Sequence, residues 1–172
     1  MLEDHAKIAA LIHQSEGYLE RKKLQKVVYI LQRFGCPFNQ KFHFYFSGPY
    51  SEELSIQLDE LCDFGFLIED WTSRSDQAEQ CAYRISEAGE DFLSHYKDEL
   101  PKTPLIQRVM GQTTSFLECA AMLLFFDQLP QNVAFDKVRT LEKNNEVCRF
   151  LEPALTFLSE LRAAQAADVS VF

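Results

Sequence analysis

The stretch LDELCDFGFLIED, residues 58–70, carries the tail of one helix, a stop and the start of a strand. Leu54, Leu58 and Leu61 with Ile56 form the apolar side of that helix, Ser51 is placed to cap it, and Gly65 ends it. Residues 66–70 then read as a strand. A polar stretch follows, and CAYRI, residues 81–85, is the returning strand. In YRISEAGEDFL, residues 83–93, Ser86 is placed to cap a further helix running through Phe92 and Leu93. A helix that ends directly ahead of a two-stranded hairpin is the layout of a winged helix-turn-helix.

Upstream, Ile8, Leu11 and Ile12 lie at helical spacing, and Leu24, Val27, Val28, Leu31 and Phe34 form one stripe of a second helix. Gly35, Cys36 and Pro37 stop it. Phe42, Phe44 and Phe46 then alternate on one face of a short strand, which Ser47, Gly48 and Pro49 close as a turn. Downstream the pattern becomes helix only. Pro101 and Pro104 mark a linker, with Thr103 as cap and Pro104 at the first helical position. Residues 116–129 are apolar on nearly all sides, and residues 130–134 read as a break. Val147, Leu151, Ala154, Leu158 and Leu161 make a heptad-like seam, either internal core or a homodimer surface, in which Pro153 kinks one helix or begins a second. The fold class is α+β and mostly helical: a winged helix-turn-helix-like N-terminal domain, residues 1–100, with a C-terminal helical part, residues 101–172, packed on it.

The chain has 172 residues, of which 47% are hydrophobic and 25% charged, enough to close a core without staples. Five scattered cysteines with no CxxC pair argue against a disulfide framework or zinc ribbon and fit a reducing cytoplasm. The N-terminus lacks the basic-then-apolar order of a signal peptide, and no apolar run reaches the ~20 residues of a membrane span. Six scattered glycines include no phosphate-binding loop, and the four histidines include no pair at helical ligand spacing. No catalytic residue, metal or cofactor is expected, and the chain reads as no enzyme. Glu118 alone in its apolar helix is either a buried acid or, as is commoner, one that faces water.

Charge is polarised. The net charge of −9 divides into +3 over residues 1–50, −11 over residues 51–100 and −1 over the remainder. Arg21, Lys22, Lys23 and Lys26 sit at a helix start, where the macrodipole disfavours cations. They form a docking patch for an acidic partner or phosphate, or they pair with acids inside the molecule. At the recognition position of the winged helix stand Glu52, Glu53, Asp59, Glu60 and Asp63, without a Lys or Arg, and the wing adds only Arg74 against Asp76 and Glu79. Such a surface repels phosphates, so nucleic acid is not the expected partner. The alternating ending at residues 169–172 fits an added strand or a frayed tail.

RKKLQKVVYILQ (residues 21–32), FHFYFSGPYSEEL (residues 42–54) and LDELCDFGFL (residues 58–67) resemble the YwgA-like proteins of Firmicutes, a family without an assigned activity. More distantly, Lys23, Leu24, Gln25, Lys26 and Tyr29, with Gly48 and Pro49, resemble the core of the Panacea antitoxin-like domain. That second resemblance implies toxin neutralisation or an adaptor role in proteolysis, both through binding other proteins.

The combined reading is a protein–protein interaction module, adaptor, regulator or antitoxin-like. Its expected contact residues are Arg21, Lys22, Lys23, Lys26, Tyr29, Phe44, Gly48, Pro49 and Tyr50. A dimeric DNA-binding transcriptional regulator and a small hydrolase are the alternatives.

Overall fold

The computed structural model describes residues 2–72 and 80–167. The expected wing-tip charges at residues 73–79 and the alternating tail at residues 169–172 lie outside the described residues. The N-terminal part runs α1 (Glu3–Gln14), β1 (Leu19–Glu20), α2 (Arg21–Arg33), β2 (His43–Tyr45), β3 (Gly48–Tyr50), α3 (Glu52–Asp63), β4 (Leu67–Thr72), β5 (Gln80–Ile85) and α4 (Glu87–Ser94). β1 pairs antiparallel with β5, Leu19 opposite Tyr83, and β5 pairs antiparallel with β4, giving the order β1-β5-β4. A short strand between the first two helices, closing on the hairpin that follows the third, is the winged helix-turn-helix arrangement. Here α2 and α3 are the helix-turn-helix, and β4 with β5 is the wing.

Both helices end the same way. At the end of α3 the Gly65 N–H donates to the Cys62 carbonyl and the Phe66 N–H to that of Leu61, and Gly65 holds the positive φ of 79° this closure demands. At the end of α2, Gly35 and Cys36 repeat the pattern on Gln32 and Leu31. The starts follow the expected caps: Ser51 Oγ accepts from the Leu54 N–H, Ser86 Oγ from Gly89, and Thr103 Oγ1 from Ile106.

Between α2 and α3 the structure departs from the alternating strand. Gly48, Pro49 and Tyr50 form a strand, not a turn, with Phe44 opposite Pro49 and Tyr45 opposite Gly48. β2 therefore ends at Tyr45 and Phe46 falls on the turn, 96% exposed, while Phe44 packs 5.0 Å from Phe125 and 5.5 Å from Phe126 between ring centroids. The pleat alternates only while the strand continues.

The C-terminal part is α5 (Pro104–Met110), α6 (Thr114–Phe125), α7 (Gln131–Leu141), α8 (Asn145–Cys148) and α9 (Leu151–Ala167). Leu117 to Leu124 are buried without interruption, because α2, β3, α7 and α9 enclose α6. The break expected at residues 130–134 lies earlier, at residues 126–130, because α6 ends at Phe125 and Pro130 stands at the N-cap of α7. Pro153 lies in the first turn of α9, where its missing N–H costs nothing, so it begins a helix. Val147, Leu151, Ala154, Leu158 and Leu161 all face inward, and the heptad-like seam is internal core. One apolar cluster runs from Ala6 to Leu161. Among the described residues no helix is long and apolar enough to cross a membrane.

Helix α4 crosses close to the start of the wing. A Cβ added at Gly89 would penetrate the Phe66 carbonyl oxygen and the Ile85 side chain, while Phe66 and Phe92 stack with centroids 4.3 Å apart. Gly89→Ala, elsewhere a stabilising change in a helix, is expected to cost about 2 kcal/mol or more in urea unfolding.

Candidate functional site

Helix α2 is buried from Leu24 through Leu31, so its polar residues on that run must be satisfied inside. Gln25 donates from Nε2 to the Ser51 carbonyl and accepts the Ser51 N–H at Oε1, both at 2.9 Å. Two turns later Gln32 repeats the pair of hydrogen bonds, donating from Nε2 to the Gln40 carbonyl at 3.0 Å and accepting the Gln40 N–H at Oε1 at 2.9 Å. The two glutamines grip the backbone on either side of the β2-β3 hairpin, as a neighbouring strand would. Gln40 links the two grips through Ser51 Oγ at 3.3 Å and reaches Gln57 on α3 at 2.6 Å.

Lys26, 2% exposed, donates from Nζ to the Ser47 carbonyl. Burial pulls its pKa down to about 8, against the pull of Glu118, with Lys22 adding to the depression. The other cations of the run are also engaged internally. Arg21 pairs with Asp59 of α3 at 3.5 Å, Lys22 with Glu118 of α6 at 3.2 Å, and Lys23 donates to the Met110 carbonyl at 2.8 Å. These partners offset the unfavourable dipole at the start of α2.

The remaining expected contact residues serve the same junction. Tyr29 is buried, meets Phe42 edge-on at 5.0 Å and accepts from Arg33, whose other amine bonds Asp127 at 2.7 Å. Gly48 and Pro49 are buried, and Gly48 needs its freedom: φ is 102°, and a Cβ would stand 3.1 Å from Met122 Cγ. Tyr50 is half-buried, its hydroxyl 2.6 Å from Ser55 Oγ. Lys23, Leu24, Gln25, Lys26, Tyr29, Gly48 and Pro49 thus lie in the α2-to-hairpin junction.

Glu118 does not face water. It is buried, and burial with the neighbouring Glu142 carboxylate raises its pKa while Lys22 lowers it. The signal for this was the Lys22 and Lys26 pair at helical spacing, two cations on one face with no acid of α2 to answer them. Around these groups lies a cleft of about 700 Å³, lined by Arg21, Lys22 and Lys26 from α2, Tyr50 from β3, Trp71 from β4 and Thr114 and Ser115 from α6.

The outward face of α3 is a different surface. Glu52, Glu53, Asp59 and Asp63 are exposed around Ile56, itself 57% exposed, and Tyr45 at the hairpin tip donates to Glu52 at 2.7 Å. Burial pushes the thiols of Cys36, Cys62 and Cys81 up to about 11 and that of Cys119 to about 12, the opposite of an activated nucleophile. Among the described residues no group of acids, histidines and cysteines is placed to hold a metal ion.

No family model matches the chain. It is 36% identical over 164 residues, 94% of this chain and 98% of the other, to a protein of Bacillus subtilis (strain 168) described as uncharacterized protein YwgA. Among solved structures, Bacillus subtilis PadR in complex with operator DNA aligns over 92% of this chain and 96% of that chain, with 16% identity and a TM-score of 0.42.

Two outcomes follow from the junction. Gln25→Leu strands the N–H and carbonyl of buried Ser51 and is expected to cost about 2–4 kcal/mol, measured by urea unfolding. Lys26 holds its proton less tightly folded than unfolded, so its charge penalises the native state below pH 8. That penalty is relieved as pH rises from about 8 toward 10.5. Wild-type stability should therefore gain about 2 kcal/mol relative to Lys26→Met between pH 7.5 and pH 10, in paired urea melts at those two values.

Proposed function

The chain belongs to the YwgA-like family, and from that membership and the face of α3 we propose that it is a non-enzymatic protein–protein interaction module, an adaptor or regulator on a winged-helix scaffold. The observation that carries this reading is the position where winged helices read DNA. On α3 every charged side chain is an acid, and the exposed centre is Ile56. Phosphates are repelled by such a face, whereas a basic protein surface with an apolar pocket complements it. Phe46 and Tyr45, at the tip of the hairpin beside the first turn of α3, extend the apolar contact. Residues 44 and 48–50 shape that tip from behind. In the same proposal residues 1–100 carry the contact face and residues 101–172 brace it.

Ile56 is exposed, so changing it leaves the core intact. Affinity capture from lysate with and without nuclease, using the wild type, Ile56→Asp and Glu53→Lys, tests the reading. The expected result is a nuclease-resistant, stoichiometric protein whose retention falls about ten-fold or more with either substitution. Retention indifferent to both would reject the α3 face. Release of everything by nuclease, with duplex-DNA binding that weakens steeply with salt, would replace this reading by the DNA-binding regulator.

A further inference from the structure

The cleft between α2, the wing and α6 opens away from the α3 contact face, touching it through the Arg21–Asp59 pair, and it gathers cations where α3 gathers acids. Lys26 reaches it with a buried ammonium that bonds one carbonyl and, among the described residues, has no carboxylate within ion-pair distance. Burying a charge without a counter-charge destabilises a fold, and the depressed affinity of Lys26 for its proton reports that cost. Lys22, four residues earlier, lines the same cleft and pairs with Glu118; Arg21 lines it and pairs with the exposed Asp59. Glu20 and Glu146 also line it.

Two helix starts converge here. Thr114 and Ser115 begin the twelve-residue α6, where the Thr113 hydroxyl takes the Phe116 N–H, and Arg21 and Lys22 begin α2, which has no side-chain cap. Backbone N–H groups of a first turn have no partner within the helix and favour an anion. The apolar contribution is aromatic: Trp71 of β4, 59% exposed, and Tyr50 of β3 line the cleft. A planar ring can stack on either face-on or edge-on.

We propose that this cleft binds a small organic phosphate carried on a planar ring, with the phosphate at Lys26, Lys22 and the start of α6 and the ring against Trp71. The three cations Arg21, Lys22 and Lys26 against the two acids Glu20 and Glu146 leave the lining with a net charge of +1, and with the two helix starts this favours an anion that can take several hydrogen bonds at once, as a phosphate does. The volume of about 700 Å³ admits a ligand of metabolite size. The site stands whether or not the α3 face binds a protein.

Trp71 is the single tryptophan of the chain, so its fluorescence reports on this cleft alone. Phenyl phosphate titrated into the full chain at pH 7 should change that fluorescence saturably and bind about ten-fold or more tightly than inorganic phosphate measured by competition. Phenol at the same concentrations should produce no saturable change. Lys26→Met and Lys22→Gln, each shown to be folded by circular dichroism, should each weaken phenyl phosphate about ten-fold or more. The absence of a saturable change in the wild type, equal affinity for inorganic phosphate, or undiminished binding by both variants would overturn the proposal.

Discussion

The structure depends on satisfying the polar groups of a helix that is buried almost all round. Gln25 and Gln32 sit two turns apart on α2, and each makes a two-bond exchange with backbone of the segment that departs from α2 and returns to α3. The loss of either would leave buried peptide groups unpaired, a cost that apolar packing nearby cannot recover. These bonds hold the hairpin against α2, and the hairpin in turn brings Phe44 onto Phe125 and Phe126 and Gly48 onto Met122. The C-terminal helices meet the N-terminal part through this hairpin and through direct packing of α6 and α5 on α2.

The same constraint organises charge. A segment of net +3 lies next in sequence to one of net −11, and the fold brings members of the two together. Arg21 faces Asp59, and His5 lies 2.6 Å from Glu60. Lys22 instead reaches across to Glu118, tying α2 to α6, as Arg33 does at the other end through the Leu124 carbonyl and Asp127. Exposed pairs of this kind contribute little each, but Lys22 pairs with the buried carboxylate of Glu118, and neither can be removed without consequence for the other. Acids beyond those needed for pairing remain on the outer face of α3.

Two surfaces of opposite sign therefore coexist within a short distance. The acidic, Ile56-centred face of α3 looks outward, and the cationic cleft lies between α2, the wing and α6. Arg21 connects them, since it lines the cleft and pairs with an α3 carboxylate. The scaffold that elsewhere presents a basic recognition helix is built here with that charge turned inward, and fold alone does not carry function across such a change.

The winged helix-turn-helix was legible from sequence because its signals are local: caps at Ser51, Ser86 and Thr103, stops at Gly35 and Gly65, and apolar spacing between them. The acidic character of α3 was equally legible, since helical periodicity and composition determine it. The destiny of the basic run was not. Whether Arg21, Lys22, Lys23 and Lys26 face solvent or one another's partners depends on which segments pack beside α2, and Asp59, Glu118, the Met110 carbonyl and the Ser47 carbonyl lie between 21 and 96 residues away along the chain. Glu118 looked like a solvated acid for the same reason: its burial comes from neighbours on every side of α6. The sequence by itself determined the elements, their caps and the sign of the α3 face, since these follow from contacts within a few residues. Only the tertiary structure decided which charges are spent inside and which cavity they line, because those depend on pairings that no local spacing encodes.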